Sequence, residues 1–382
     1  MHDPNQLRSN HLSRYQAEPM VFVAPGRVNL IGEHTDYAEG FVMPAAIDFA
    51  TLTAISPRTD GKFVLYAENY GEEKVFDTLP EKPTSHWSDY PIGVAVKLAQ
   101  LGHKIPGFSL SISGDVPLGS GLSSSAALEV VTMLALTSLI GIEIPGPQLA
   151  KYSQAVENEF VGANCGIMDQ FISANGKANH ALLLDCRDLS FKLAPIPADV
   201  ALVIANTMVK HSIVGGDYKT RRAESEAACA IINGHRGGVP FLRDATLEDL
   251  EKWGHEMEPK SYLRAKHVIS EDLRTVACCE ALLKGDLKEV GRLMAEAHRS
   301  YSKDFEGSCV EADLMVELAQ DLPGLIGARL TGGGFGGCTI NLVEASKAQA
   351  FADALAGRYE AKTTIKPDVF VCHASDGAHR IS

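Results

Sequence analysis

The sequence lacks the long apolar run that a membrane-spanning helix needs. Its most apolar stretch, residues 122–142, contains Glu129 and several hydroxyl side chains, whereas a spanning helix needs about 20 predominantly apolar residues. The opening stretch, MHDPNQLRSNHLSRYQAEP, has no apolar core of signal-peptide length. We therefore expect a cytoplasmic protein that is not attached to a membrane.

Positive charge is also scarce. The chain has 35 Lys and Arg residues against 48 Asp and Glu residues, which gives a formal net charge of -13. Binding along a nucleic acid needs fields of Lys and Arg against the phosphates. We therefore expect no nucleic-acid partner, although a few local groups suffice to bind one nucleotide.

Cysteine pairs with the spacing of redox or metal motifs are missing. The eight cysteines form no CxxC pair, and Cys278 and Cys279 are adjacent, which disfavours an ordinary disulfide. We expect these cysteines to be reduced and mostly structural, as is usual inside cells.

Two common signatures of phosphate transfer are absent as well. No GxxxxGK[ST] loop occurs in the chain, which argues against a P-loop NTPase. Neither HRD nor DFG occurs, which argues against a protein kinase of the usual type. If the chain transfers phosphate, it belongs to another class of kinase.

Strand-like and helix-like patterns are both present, but they do not alternate regularly. Short apolar runs predict strands at residues 21–24 and 62–67, the alternation of FSLSIS predicts a half-buried strand at 108–113, and polar residues predict a loop at 71–86. Apolar positions of helical period dominate the second half, at 217–232, 245–254, 258–284, 286–301 and 311–321.

The segment PIPAD, residues 195–199, is a natural place for a domain boundary. We predict an N-terminal domain of residues 1–195 and a C-terminal domain of residues 196–382. Because strands and helices are not regularly interleaved, the pattern predicts an α+β fold with mixed sheets rather than a doubly wound sheet.

The most informative local pattern is GDVPLGSGLSSSAALEVV, residues 114–131, where a strand enters a Gly/Ser loop that opens an apolar helix. Helix N-termini present free N–H groups and partial positive charge, which suits phosphate. The three serines, Ser123, Ser124 and Ser125, can cap the helix or donate hydroxyls to phosphate or Mg²⁺. An ordinary capped helix is the alternative, but three serines after GSG favour phosphate.

A second Gly-rich segment, LTGGGFGGC at residues 330–338, lies between two strand-like runs. Glycine at such density indicates either a hairpin with bulges or a backbone that passes close to a ligand or to the phosphate helix. The sequence leaves these two alternatives about equal, and the apolar flanks argue against a linker.

Two acidic residues, Asp169 and Glu157, are candidates for a functional role. Asp169, in CGIMDQF, is surrounded by apolar residues and needs a partner, for which Arg27 is available. Such a pair could accept a proton from a hydroxyl or stabilise a transferred phosphoryl group, whereas a helix cap or a structural salt bridge is the plainer alternative. Glu157, on a helix predicted at 147–162, could complete a Mg²⁺ site, but its position alone favours a solvated helix face.

Four segments together resemble the galactokinase family of the GHMP small-molecule kinase superfamily. They are APGRVNLIGEHTDY from residue 24, PLGSGLSSSAALEV from residue 117, CGIMDQ from residue 165 and LTGGGFGG from residue 330. The first segment crowds charge between two apolar runs, as a polar binding site requires. The resemblance extends from Ala24 to Val371, nearly the whole chain.

The resemblance implies a two-domain GHMP kinase fold, with a ribosomal-protein-S5-like N-terminal α/β domain, a ferredoxin-like C-terminal domain and the active site between them. It implies that the ATP phosphates lie on Gly119, Ser120, Gly121, Leu122, Ser123, Ser124 and Ser125, and that Mg²⁺ is held by Ser125 and Glu157. The sugar-binding residues that it implies are Glu33, His34, Thr35, Asp36, Gly166, Asp169 and Tyr218.

The catalytic residues implied by the resemblance are Asp169, which matches the proposed base, and Arg27, which matches the stabiliser of charge beside it. Trp87 lies where some relatives place an aromatic residue near adenine, although a core Trp is the plainer interpretation. Ala38 stands where many relatives have Asn, a departure that touches no matched catalytic position.

The expected reaction is that of ATP with α-D-galactose to give α-D-galactose 1-phosphate and ADP, the first committed step of galactose catabolism, in a monomer or weak dimer. One alternative is a related sugar kinase acting on N-acetylgalactosamine or arabinose. The other is a sensor that binds sugar and ATP and signals to a protein partner. The intact SSSAA of residues 123–127, with Arg27 and Asp169, argues against the sensor.

Overall fold

The structure is a computed structural model that describes residues 3–117, 119–163, 165–210 and 217–381. Its helices are α1 (Pro4–Tyr15), α2 (Asp89–Gln100), α3 (Ser124–Leu139), α4 (Gly146–Ala155), α5 (Met168–Asn175), α6 (Asp217–Arg236), α7 (Leu247–Trp253), α8 (Pro259–Leu283), α9 (Leu287–Lys303), α10 (Val310–Ala319) and α11 (Ala348–Thr363). Its strands are β1 (Met20–Asn29), β2 (Phe41–Val42), β3 (Pro44–Pro57), β4 (Phe63–Ala67), β5 (Glu72–Phe76), β6 (Phe108–Gly114), β7 (His180–Asp185), β8 (Phe191–Pro195), β9 (Val200–Lys210), β10 (Leu325–Leu330), β11 (Gly336–Glu344), β12 (Asp368–Cys372) and β13 (His379–Arg380).

The N-terminal half is built on a six-stranded sheet with the order β13-β1-β3-β6-β4-β5. Residues of β1 alternate between its two faces, so Phe22 packs under α2 and α3 with Val130, while Val21 packs under α1 with Leu7. The sheet is therefore covered by helices on both sides. Helix α3 is held against it, and the N-terminus of α3 lies at the loop predicted to bind phosphate (residues 119–125, the phosphate loop).

The prediction of a half-buried strand at residues 108–113 is wrong. Ser109 and Ser111 of β6 are buried, because α1 covers the face that was expected to meet water. His11 of α1 lies there with its ring nitrogens 2.8 Å from the hydroxyls of Ser111 and Ser56. Buried polar groups of this kind are tolerated only when they are hydrogen-bonded.

The C-terminal half contains a four-stranded sheet with the order β10-β11-β9-β12. Along the chain, β9 is followed by helices α6 to α10, then by β10, β11, α11 and β12, which is the β-α-β-β-α-β arrangement of a ferredoxin-like fold. Strand β9 is buried on both faces, since Leu202 packs toward α8 and α9 while Val203 packs toward α10 and α11. The predicted α+β, ferredoxin-like character of this half is confirmed.

Two local predictions need correction. Residues 72–76, inside the predicted loop of 71–86, form the edge strand β5. An edge strand faces water along one side, so the consecutive charged residues Glu72, Glu73 and Lys74 gave it the composition of a loop. The helix predicted at 147–162 is α4 followed by a π-helical segment, Val156–Val161, which ends at Gly162 with a positive φ of 89°.

The two halves are joined by more than their covalent connection. Core residues from β1, such as Val28, pack in one cluster with residues of β9 and α8, and β13 at the end of the chain pairs with β1. The division at residues 195 and 196 stays a prediction. None of the helices in the described part of the chain combines the length and the apolar character that crossing a bilayer demands.

Candidate active site

Arg27 and Asp169, which the sequence suggested as a pair, form a bidentate ion pair between β1 and α5. Arg27 Nε donates to Asp169 Oδ1 and Arg27 Nη2 to Asp169 Oδ2, both at 2.8 Å. The Arg27 side chain is 6% exposed and that of Asp169 is 27% exposed, so the carboxylate is reachable from one side only. A fork of this geometry fixes the carboxylate in orientation as well as in charge.

Arg27 also ties this carboxylate to the phosphate loop. Its Nη1 donates to the Gly121 carbonyl, and its backbone N–H donates to the Leu122 carbonyl at 3.1 Å. A register shift between Pro25 and Arg27 interrupts the pairing of β1 with β3, and such bulges redirect a side chain out of the regular ladder. One guanidinium thus connects the Asp169 carboxylate to the loop that precedes α3.

Ser123 lies immediately before α3 and has a positive φ of 62°. Its hydroxyl makes no capping hydrogen bond to the helix, so the alternative of an ordinary serine cap does not hold at this position. The hydroxyl instead donates to Asp169 Oδ2 at 2.5 Å. The N-terminal N–H groups of α3 therefore keep the unpaired, positively polarised character that binds anions.

The Gly-rich segment of residues 330–338 is the turn between β10 and β11, and it lies against the phosphate loop. A Cβ atom built on Gly332 would be 3.3 Å from the Gly121 carbonyl oxygen, and one built on Gly337 would be 3.2 Å from the Ser120 carbonyl oxygen. Both glycines have positive φ. Hairpin and close approach, which the sequence presented as alternatives, are therefore both present.

A pocket of about 230 Å³ adjoins the start of α3. Its lining includes Ser124 and Ser125 together with Asn69, Tyr70, Trp87 and Tyr90. Trp87 is partly buried against the core of the sheet, and its Nε1 donates to Glu72 Oε2 at 3.0 Å. The family resemblance suggested Trp87 for this region, but sequence reasoning missed the other three residues, for which no local pattern gave a signal.

Glu33 is buried at the base of the GRVNLIGEHTDY segment. Its Oε1 accepts a hydrogen bond from the Gly332 backbone N–H at 2.8 Å and lies 3.2 Å from Arg329 Nη1. Its Oε2 accepts from the Asn29 side chain. Glu33 therefore links the predicted sugar segment to the Gly-rich turn, and burial raises the pKa of its carboxyl above the ordinary value although Arg329 opposes this.

His34 is buried among aromatic side chains and has a positive φ of 63°. Its ring centroid is 4.3 Å from that of Phe305 and 5.6 Å from that of Tyr301. Burial lowers the pKa of His34 to about 3. The ring is consequently neutral at physiological pH and offers one N–H donor and one nitrogen acceptor.

Asp36 and Gly166 are brought together beside Asp169. No side chain would fit on Gly166, because its Cβ would overlap the Asp36 carboxylate. Burial, reinforced by the charge of Asp169, raises the pKa of Asp36 to about 6. A pocket of about 310 Å³ that both residues line also includes Lys151 and Gln154.

The other two predicted sugar residues are Thr35 and Tyr218. The Thr35 hydroxyl is buried and donates to the carbonyls of Gly32 at 3.0 Å and Phe41 at 2.7 Å, so it closes the turn of its own segment. The side chain of Tyr218, at the start of α6, lies outside the described part of the chain.

Glu157 is not on a solvated helix face, as its position in the sequence suggested, because the residue is only 8% exposed. The π-helical segment turns it inward, where its Oε2 accepts from Gln170 Nε2 at 2.5 Å. Ser125 hydrogen-bonds to it as well, and burial followed by the charge of Asp169 raises the pKa of its carboxyl. Glu129, which sequence reasoning passed over, lies behind it and also accepts from Gln170 Nε2, at 3.1 Å.

The donor set around Glu157 fits a Mg²⁺ ion. Mg²⁺ prefers carboxylate and hydroxyl oxygens and is usually shared with substrate phosphates, and Ser125 and Glu157 supply two such oxygens next to the phosphate loop. Oε1 of the buried Glu129 has no hydrogen-bond partner among the described residues, and burial together with the charge of Glu157 raises the pKa of this carboxyl well above its ordinary value. Within the described residues, no group of three or more His, Cys, Asp or Glu side chains could hold a metal alone, so phosphate and water oxygens would complete the shell.

Comparison with known proteins identifies the class to which the chain belongs. Residues 89–177 match the model described as GHMP kinases N terminal domain, and residues 279–361 match the model described as GHMP kinases C terminal. Mevalonate kinase of Methanococcus jannaschii shares the fold with a TM-score of 0.66 at 19% identity, over 94% of this chain and 99% of its own. The fold and the site define a small-molecule kinase of the GHMP class.

Closer relatives narrow the class. Residues 9–57 match the model described as Galactokinase galactose-binding signature. A galactokinase of Roseiflexus sp. (strain RS-1) is 43% identical over 384 aligned positions, which cover 100% of this chain and 98% of that one. The crystal structure of Lactococcus lactis galactokinase complexed with galactose has a TM-score of 0.93 at 34% identity and 99% coverage of both chains. The chain belongs to the galactokinase family, as the resemblance of its motifs indicated.

Proposed function

We propose that this chain transfers the γ-phosphoryl group of ATP to the C1 hydroxyl of α-D-galactose, giving α-D-galactose 1-phosphate and ADP. The reaction is the first committed step of galactose catabolism. The observation that carries the proposal is the junction at Asp169, where one carboxylate is held by Arg27 of the sugar segment and by Ser123 of the phosphate loop. An acceptor hydroxyl placed at this carboxylate would stand next to the terminal phosphate.

The phosphate end binds through backbone rather than through a lysine. The loop of Gly119, Ser120, Gly121, Leu122, Ser123, Ser124 and Ser125 leads into α3, and free N–H groups at a helix N-terminus attract phosphate oxygens. The pocket beside Ser124 and Ser125 takes the adenine, with Trp87 and Tyr70 at its walls. Both assignments rest on the juxtaposition of the loop and that pocket.

Asp169 orients the C1 hydroxyl, and Arg27 offsets negative charge as the phosphoryl group moves. The carboxylate already accepts three hydrogen bonds, two from Arg27 and one from Ser123. A carboxylate so occupied is a weak proton acceptor, so its main contribution is positioning and electrostatic, as in phosphoryl transfer generally. The proton of the C1 hydroxyl can still pass to it late in the transfer.

Mg²⁺ is the proposed cofactor, held by Ser125 and Glu157. When bound with ATP it neutralises charge on the phosphate oxygens. Gln170 holds Glu157 in place through its 2.5 Å hydrogen bond, and α5 carries Gln170 next to Asp169. Helix α5 therefore carries Asp169 and also the residue, Gln170, that positions the candidate metal ligand Glu157.

The sugar end is formed by Glu33, His34, Asp36 and Gly166, with Thr35 shaping the turn and Tyr218 as a further proposed contact. Carboxylates accept hydrogen bonds from sugar hydroxyls, and the neutral ring of His34 can donate or accept. Buried groups of this kind discriminate strongly, since an epimer with a misplaced hydroxyl leaves them unpaired. We propose a cytoplasmic enzyme that is a monomer or weak dimer, with no membrane or nucleic-acid partner.

The test is release of ADP from ATP and Mg²⁺ with single sugars. Turnover with galactose, and little with glucose or without sugar, is the expected result. Preference for N-acetylgalactosamine or arabinose would keep the kinase and overturn the sugar. Absence of turnover with every sugar, in protein that binds ATP and galactose, would overturn the catalytic proposal in favour of a sensor.

A further inference from the structure

The segment that carries Glu33 and His34 is supported from one side by α8. Three side chains of α8, one helical turn apart, face it: His267, Glu271 and Thr275. His267 Nε2 lies 3.1 Å from the Glu33 carbonyl oxygen, and Glu271 Oε1 accepts a hydrogen bond from the Gly32 N–H at 3.0 Å. The backbone of the sugar segment is thus hydrogen-bonded to a helix that lies more than two hundred residues further along the chain.

Gly32 fits into this support without room for a side chain. It has a positive φ of 98°, and a Cβ atom there would lie 2.7 Å from the Phe41 carbonyl oxygen and 3.0 Å from Thr275 Oγ1. Only glycine adopts such a conformation freely. The position of the Gly32 N–H is consequently fixed, and with it the direction of the hydrogen bond to Glu271.

Arg329 of β10 reaches the same segment from the other side. Its Nη1 donates to the Leu30 carbonyl at 3.2 Å and lies 3.2 Å from Glu33 Oε1, while its Nη2 lies 3.8 Å from Glu271 Oε1. The Arg329 and Glu271 side chains are both fully buried. One guanidinium therefore stands between two buried carboxyl groups and two carbonyls of the sugar segment, those of Asn29 and Leu30.

The charges in this cluster depend on one another. Burial opposes ionisation of Glu271, but Arg274 and Arg329 outweigh it and hold the pKa of Glu271 below its ordinary value. Removing one member of a buried ion pair leaves the charge of the other member uncompensated, which strongly destabilises the structure around it. Arg329 Nε and Nη2 have no hydrogen-bond partner in the described part of the chain, so the guanidinium is held by the Nη1 hydrogen bond to the Leu30 carbonyl and by Coulombic attraction to the two glutamates.

We propose that Arg329 and Glu271 are positioning residues for galactose, which rests on the function proposed for this pocket. Neither touches the sugar; they fix the backbone from Leu30 to Glu33 and thereby the directions of the Glu33 and His34 side chains. His34, with its positive φ, needs such support because non-glycine residues avoid that conformation unless their surroundings impose it.

The test compares Arg329→Met and Glu271→Gln with Arg264→Met. Arg264 of α8 is an equally buried arginine that pairs with Glu224 and Glu306, so it controls for the loss of a buried guanidinium. We expect KM for galactose to rise about tenfold or more in both test variants while KM for ATP stays within about twofold, the pattern of lost ground-state sugar binding. Arg264→Met should leave the ratio of the two KM values unchanged.

Hydrogen exchange supplies a readout that does not depend on turnover. The Gly32 amide donates to Glu271, so peptides covering residues 28–36 should exchange faster in Arg329→Met and Glu271→Gln than in the wild type, and peptides of α11 should not. Glu271→Gln keeps the shape of the side chain and an acceptor oxygen, so it decides the question if Arg329→Met does not fold.

Three results would overturn the inference. Unchanged galactose KM and unchanged exchange at residues 28–36 would show that the segment holds its shape alone. A fall in kcat with both KM values unchanged would indicate fewer folded molecules rather than misplaced sugar ligands. An equal rise in both KM values would indicate a general loss of structure. Failure of the wild type to phosphorylate galactose would instead refute the proposed function, and the exchange comparison would still decide the positioning role.

Discussion

Replacing Asp169 by asparagine tests the junction on which the proposed function depends. The change keeps the volume of the side chain but leaves one acceptor oxygen where the carboxylate has two. Arg27 donates to both oxygens at 2.8 Å, and Ser123 donates to one of them at 2.5 Å. At least one N–H of Arg27 would therefore face an N–H of the amide instead of an acceptor.

The magnitude follows from the kind of group that is lost. Removing one preorganised group that stabilises the transition state lowers kcat by about 10²–10³-fold, and misorienting the acceptor hydroxyl adds to this. We expect kcat of Asp169→Asn to fall by about 10³-fold or more, which is about 4 kcal/mol in activation free energy. The Kd for ATP should change by less than about threefold, because the phosphate loop binds through its backbone.

The effect on stability should be much smaller than the effect on rate. Asp169 is 27% exposed, so water can replace part of the lost interaction, and we expect a loss of about 1–2 kcal/mol. Asp185→Asn is the matched control, because Asp185 also forms a bidentate pair, with Arg243, at 2.5 and 2.9 Å. It should lower Tm to a similar extent and leave turnover near that of the wild type.

Coupled ADP release, ATP binding by calorimetry and thermal unfolding measure the three quantities. The reasoning is refuted if Asp169→Asn keeps turnover within about tenfold of the wild type, a range that lost packing or a shifted KM could explain. Equal losses of turnover in Asp169→Asn and Asp185→Asn would refute it too, since the loss would then follow stability and not chemistry.

Two further predictions concern the sugar and phosphate ends. Because burial raises the pKa of Asp36 to about 6 from about 3.9 in the unfolded chain, the folded protein binds more protons between these values and Asp36 makes stability fall as pH rises through this window. Asp36→Asn should therefore raise Tm at pH 8 more than at pH 4 while it weakens galactose binding; equal shifts in Tm at the two pH values would contradict this. Gly337→Ala should raise KM for ATP several-fold, since Gly337 has a φ of 78° and lies against the Ser120 carbonyl, whereas Gly357→Ala on α11, where a Cβ meets open space, should change neither KM; similar behaviour of the two variants would contradict the contact between the loops.

Sequence reasoning succeeded where the signal is local. The apolar period of 3.6 residues placed α8 and α9 to within about two residues, because one helix face is buried over several turns. The Gly/Ser loop before α3 and the Gly-rich turn after β10 were found from composition, since positive φ requires glycine at defined positions. Arg27 and Asp169 were paired on chemical grounds alone, because a buried carboxylate needs a cation.

Sequence reasoning failed where a side chain's surroundings come from distant parts of the chain. Glu157 reads as a surface residue in a helical pattern, and only the π-helical segment and Gln170 turn it into a buried ligand candidate. Ser123 reads as a helix cap, but Asp169 competes for its hydroxyl. The pocket residues Asn69 and Tyr90 belong to no local pattern and meet only because the end of β4 and the start of α2 both lie beside the start of α3.

The proposed sugar segment, residues 26–37, also depends on distant parts of the chain. Its motif is contiguous in sequence, yet its backbone is bonded to residues of the other half: Asn29 to the Thr331 hydroxyl at 3.0 Å and Gly32 to Glu271 at 3.0 Å. Its carboxylate Glu33 accepts from the Gly332 N–H of the turn that also lies against the phosphate loop. A displacement of that turn would therefore move the proposed sugar ligands and the phosphate loop together. In a close-packed interior, neither contact has room to move without the other. We therefore expect the proposed sugar and phosphate sites to be coupled through the Gly-rich turn, and a second time through the contacts of Arg27 with Asp169 and Gly121.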